Sequence, residues 1–92
     1  MQKKFTLTET GTTDTILVSP SDIITFGAQG DASDYTLTAE VKLTDNGNWF
    51  TAQAITDDEI YSTVSGVRAF RFNLTALGAA SSIDVEVTSA DM

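Results

Sequence analysis

The sequence contains no cysteine and no histidine. Their absence excludes a disulfide framework, a thiol nucleophile, a Cys/His zinc centre and any triad that uses imidazole as its base. Carboxylates, hydroxyls, Lys, Tyr and Arg are what remains for chemistry. Without thiols, the chain suits an oxidising or a reducing compartment equally. Basic residues are also scarce: five Lys and Arg stand against thirteen Asp and Glu, for a formal charge of −8. So acidic a chain is a poor partner for nucleic acid, whose binding depends on neutralising phosphates and releasing counterions. An anionic membrane surface is disfavoured for the same reason. No apolar run approaches the ~20 residues needed to span a bilayer. Met1-Gln2-Lys3-Lys4-Phe5-Thr6 has no hydrophobic stretch behind its lysines, so no signal peptide is expected there. No amphipathic helical period is found, and the single proline is Pro20.

What is present points to strands. At 92 residues, with 41% hydrophobic residues, the chain has enough apolar material for one small core and too much for disorder. Tyr35 to Leu43 alternates without a miss, with Tyr35, Leu37, Ala39, Val41 and Leu43 on one side and Thr36, Thr38, Glu40 and Lys42 on the other. Successive strand side chains point to opposite faces, so Leu37, Val41 and Leu43 are predicted core. Asp45-Asn46-Gly47-Asn48 follows, then Trp49 to Ile55. Asn-Gly suits the two positive φ angles of a type I′ turn, which predicts a tight hairpin bearing the only tryptophan.

Further strands are predicted over 5–8, 15–18, 23–26, 60–64, 67–74 and 83–88. Residues 27–34, with two glycines, read as an exposed loop, and Pro20 belongs to a connection. Phe70, Phe72 and Leu74 share one face of their strand. The expected architecture is an all-β, antiparallel β-sandwich, jelly-roll-like, of seven or eight short strands. It forms a single domain over residues 5–92, preceded by an N-terminal arm, residues 1–4.

Candidate sites are few. Asp57-Asp58-Glu59, Asp31 with Asp34, and Asp45 beside Asn46 and Asn48 offer oxygens, but adjacent turn residues diverge, and calcium needs six to eight converging ligands. No metal and no cofactor is expected. Glycoside hydrolysis needs two carboxyls about 5–10 Å apart across a cleft that so small a sandwich hardly provides, so the chain is read as no enzyme. Trp49, Phe50 and Tyr61 are candidate contact aromatics. Strand alternation sends Trp49 and Phe50 to opposite faces, which predicts one in the core and one outside. Arg68 and Arg71, the only arginines, lie in the most apolar strand and suit a partner ion pair or an ordinary pair within the chain. Arg68 shares parity with Phe70, so it sits either at the strand's end or partly buried beside an acid. Lys3, Lys4 and Phe5 form a basic segment set apart from an acidic body, a candidate tether. Asn73-Leu74-Thr75 matches a glycosylation sequon by chance.

From Asn46-Gly47-Asn48-Trp49 through Gly66-Val67-Arg68 to the alternating Ile83–Val87, the chain resembles small virion proteins encoded in the structural gene clusters of tailed bacteriophages. The resemblance covers roughly Tyr35 to Thr88. It implies a β-sandwich structural component, such as a capsid decoration (cement) protein that binds over major capsid subunits and stabilises the head. Such a protein would be made in the host bacterial cytoplasm and reside on the capsid surface. Its partners would be the major capsid protein or other virion proteins. Self-association is expected, a trimer before other forms, because a small core gains by sharing burial. The other reading is a carbohydrate- or receptor-binding accessory module of a phage tail or head fibre.

Overall fold

The computed structural model describes residues 2–32, 34–56, 58–63 and 66–91, with backbone only at 59–63, 90 and 91. Its strands are β1 (Gln2–Leu7), β2 (Gly11–Thr12), β3 (Ile16–Leu17), β4 (Asp22–Gly30), β5 (Thr36–Lys42), β6 (Trp49–Ile55), β7 (Glu59–Thr63), β8 (Ala69–Ala76) and β9 (Ile83–Asp91). Two antiparallel sheets face each other. One has the order β1-β9-β4-β7; the other has β2-β8-β5-β6, with β3 also on β8.

β2 and β3 are one interrupted strand. Gly11 and Thr12 pair with Leu74 and Asn73, and Ile16 and Leu17 pair with Phe70 and Ala69, so the register slips by one residue between them. Across the slip the Thr13 amide donates to the Phe72 carbonyl, and the Phe72 amide donates to Thr13 Oγ1. With the two segments taken together, the first strand lies beside the last and each sheet draws on both halves of the chain. That is the strand order of a jelly roll, as the sequence predicts. Only β5–β6 is a hairpin; every other connection crosses between the sheets.

The core lies where the two inner faces meet. Ile24, Phe26 and Ala28 of β4 and Ile83, Val85 and Val87 of β9 face Leu37, Ala39 and Val41 of β5 and Phe70, Phe72 and Leu74 of β8. Phe26, Phe70 and Phe72 form its centre, with ring centroids 5.0 to 6.2 Å apart and tilted or edge-to-face, as ring quadrupoles prefer.

Four expectations are corrected. Residues 2–4 are not an arm: they begin β1, with Lys3 opposite Val87 and Lys4 opposite Glu86. Residues 27–30 are not a loop. The inward alternation of Ile24, Phe26 and Ala28 runs through Gly27, and β9 and β7 pair along both sides of the strand. The hairpin is not type I′. The Gly47 amide donates to the Thr44 carbonyl, and neither Asp45 nor Asn46 has positive φ, so the turn turns at Asp45-Asn46, with Gly47 closing it as type I favours. Because β5 ends at Lys42, Leu43 leaves the ladder and is 53% exposed, not core.

Candidate functional site

The connections gather at two chemically different ends. One end carries the turns at 8–10, 31–32 with 34–35, 56 with 58, and 77–82; the first three contain Glu9, Asp31, Asp34 and Asp58, and none contains Lys or Arg. The other carries the connections 18–21, 43–48 and 66–68, near the start of β1 and the end of β9.

At the acidic end the carboxylates hold loops together. Asp31 accepts from the Ser81 amide (2.8 Å), the Ser82 amide (3.3 Å) and the Ser81 hydroxyl, tying the β4–β5 connection to the β8–β9 connection. The Ser81 hydroxyl, then the two amides, hold its carboxyl below the ordinary carboxylate value of 3.8. Asp58 accepts from the Gly30 amide (2.9 Å) and the Tyr35 hydroxyl (3.2 Å), tying in the β6–β7 connection. Among the described residues no three acidic side chains converge as metal ligands. Asp57 and the Glu59 side chain, two members of the acidic triplet, lie outside the described residues.

The opposite end is more apolar, and its connections carry one exposed charge of each sign, Arg68 and Asp45. Three backbone bonds make its connections one surface: Gly66 amide to Pro20 carbonyl, Val18 amide to Arg68 carbonyl, and Arg68 amide to Lys42 carbonyl. Around it stand the exposed large hydrophobic side chains of the described residues, Leu17 (82%), Ile23 (40%), Leu43 (53%) and Phe50 (53%). Leu17 projects from the outer face of the five-stranded sheet and Ile23 from that of the other, as their buried neighbours Ile16 and Ile24 require. Arg68 is exposed beside them, at the strand's end rather than buried with an acid.

The two contact aromatics behave differently from the expectation. Trp49 pairs with Lys42 and shares its outer face, and Phe50 pairs with Val41 and has core-side parity. Neither is in the core. Trp49 is half-buried because the Arg71 guanidinium stacks on its ring at 4.1 Å from the centroid, with Lys42 Nζ at 5.5 Å. Phe50 is exposed because β6 is the edge strand of its sheet. Arg71 Nε donates to Glu40 Oε1 at 2.7 Å across β5–β8, and Asn73 Nδ2 reaches Glu40 Oε2 at 3.4 Å. Arg71 thus makes an ordinary pair within the chain and occupies one face of the tryptophan. The side chain of Tyr61 lies outside the described residues.

Lys3 and Lys4 do not form one basic patch. Alternation puts Lys3 on the core side of an edge strand and Lys4 on the outer face; Phe5 follows on the core side, opposite Val85, partly buried against the core. Lys4 borders a shallow groove of about 1030 Å³ on the outer face of the four-stranded sheet. Thr25, Gln29, Asp84, Glu86 and Thr88 line it, with Gly27 on the central strand at its floor. Sequence reasoning missed this groove because Gly27 reads as a loop residue. It missed Leu17 because Ile16-Leu17-Val18 is apolar throughout and carries no parity signal.

Compared with known proteins, the chain matches no family model and no curated protein sequence.

Proposed function

We propose that the chain is a non-enzymatic structural component of a tailed-phage particle, a decoration protein that docks on the major capsid surface by the end that carries its exposed apolar side chains and Arg68. One observation carries the reading. Among the described residues of a chain of charge −8, the exposed large hydrophobic side chains stand at one end with Arg68 and Asp45, while three of the four turns at the other end carry acidic residues and no cation. Exposed apolar groups at one end of a small protein mark an interaction surface, and Arg68 there can pair with a carboxylate of the partner. The acidic end then faces solvent and keeps a densely decorated particle soluble. The jelly roll is consistent with this role, since viral capsid domains use it, though so do lectins. The contact residues of this reading are Leu17 and Arg68.

The test adds purified protein to heads lacking it. Leu17→Asp with Arg68→Glu is expected to abolish occupancy with an unchanged circular dichroism spectrum; undiminished occupancy refutes the reading.

The groove over Gly27 favours a second reading, a glycan-binding accessory module. Its amides, hydroxyls and carboxylates offer donors and acceptors for a neutral sugar chain, and a strand glycine leaves room for close approach. Trp49 is the weaker platform, since Arg71 already covers one face. Binding on a glycan array that is lost in Gly27→Val would favour this reading over decoration.

A further inference from the structure

The sandwich has four sheet edges, and three carry the features that deter pairing with another chain. β1 carries Lys3 and Lys4, Lys3 with core-side parity, so that a strand laid alongside would trap an ammonium. β7 begins with Glu59, just after Asp58. The β2–β3 edge is interrupted by its slip and pairs for two residues on either side of it. β6 differs. Trp49-Phe50-Thr51-Ala52-Gln53-Ala54-Ile55 contains no charge, no proline and no glycine, and residues 50, 51, 52 and 54 are exposed along it. Its one irregularity is a bulge: Thr51 pairs with Glu40 and Gln53 with Ala39, so Ala52 is the extra residue. That leaves Trp49–Thr51 as a regular stretch, paired with β5 on one side and with no described strand on the other, with Phe50 at its centre.

We infer that this stretch pairs antiparallel with the same stretch of a second copy, about a twofold axis through Phe50. Antiparallel pairing about one residue sets that residue against itself, so Phe50 meets Phe50 of the other copy on one face. Directly opposed side chains lie about 4.5–5.5 Å apart at Cβ, close enough for two aromatic rings to cover each other. Both rings are 53% exposed in the single chain, at the edge of the five-stranded sheet. Charge selects a copy of this chain as the occupant. With −8 per chain, self-contact is opposed wherever carboxylates meet; β6 itself carries none, and the charges beside it are Lys42 and the Arg71–Glu40 pair on β5 and β8, with Asp45 in the adjoining turn. A three-residue ladder is small, so the dimer is weak and concentration-dependent, at the low end of interface sizes. It is suited to copies already crowded on a surface. The inference does not rest on capsid docking, which uses Leu17 and Arg68, and it is tested on the isolated protein.

Because the chain has no cysteine, a single introduced thiol reports the contact. Phe50→Cys is expected to oxidise to a disulfide-linked dimer about tenfold or more faster than Leu17→Cys, as thiols held at high effective concentration do. In sedimentation equilibrium the unmodified protein should rise with concentration from 9.8 kDa toward twice that mass, and Phe50→Asp, with an unchanged circular dichroism spectrum, should remain monomeric. Equal oxidation rates for the two thiols, a dimer that survives Phe50→Asp, a monomer at every concentration, or a trimer would each overturn it, since a threefold axis never sets a residue against its own copy.

Discussion

Two leucines of the same alternating run separate what parity dictates from what the sandwich dictates. Leu37 and Leu43 have the same parity in the sequence, but Leu37 is fully buried between the sheets and Leu43 is 53% exposed past the end of β5. Leu37→Ala removes buried atoms and leaves a cavity next to a close-packed aromatic cluster, which costs about 3–4 kcal/mol within the range for such changes. Leu43→Ala loses the transfer energy of less than half a side chain and leaves no cavity, at most about 1 kcal/mol. A domain this small has of order 5–10 kcal/mol in total, so the first change consumes a large part of it and lowers Tm by roughly 15–25 °C. The second lowers Tm by about 5 °C or less. Urea titration followed by far-UV circular dichroism and Trp49 fluorescence measures both, and an unchanged m-value confirms that the same transition is compared. Equal losses for the two variants would refute the reasoning, because they would place Leu43 in the core and extend β5 beyond Lys42.

Other perturbations probe the remaining features. Gly78 has φ +60, and an added Cβ would meet the Asp34 carbonyl oxygen. Gly78→Ala should therefore cost at least ~2 kcal/mol in urea titration, where an ordinary surface Gly→Ala would be near neutral. Arg71→Ala strips the guanidinium from Trp49 and leaves Glu40 with only the long contact from Asn73, so a loss of about 1.5–3 kcal/mol and a changed tryptophan emission are expected. Arg71→Lys should restore little of either, because an ammonium lacks the planar fork that both bonds and stacks. Asp31 has its folded-state carboxyl held below 3.8, chiefly by the Ser81 hydroxyl, so the unfolded chain takes up its proton first as pH falls. Its contribution is present above about pH 4 and is lost as pH drops through the lowered folded value. In Asp31→Asn, thermal stability should fall less steeply below pH 4 than in the unmodified protein; identical acid-side slopes would show that the serine bonds do not matter.

The sequence by itself determined the class of fold and most of the core. Strict alternation with a period of two is a local property of a strand, and it marks Leu37, Ala39, Val41, Phe70, Phe72, Leu74, Ile83, Val85 and Val87, all of them buried. The lack of Cys and His is equally local, and it excluded whole classes of chemistry without a structure. Alternation is silent about partners, and that is where tertiary structure decided. Whether Phe50, on core-side parity, is covered depends on β6 being the last strand of its sheet, which no neighbouring residue encodes. Whether Lys3 and Lys4 act together depends on their belonging to β1 rather than to an arm. Whether Gly27 is a loop residue or the floor of a groove depends on β9 and β7 flanking β4, and β9 is some sixty residues distant in the chain. Every connection but one crosses between sheets, so the neighbours that cover or expose a side chain come from far along the sequence. Burial is a property of those long-range pairings, and parity only nominates the residues that the pairings then cover or leave bare.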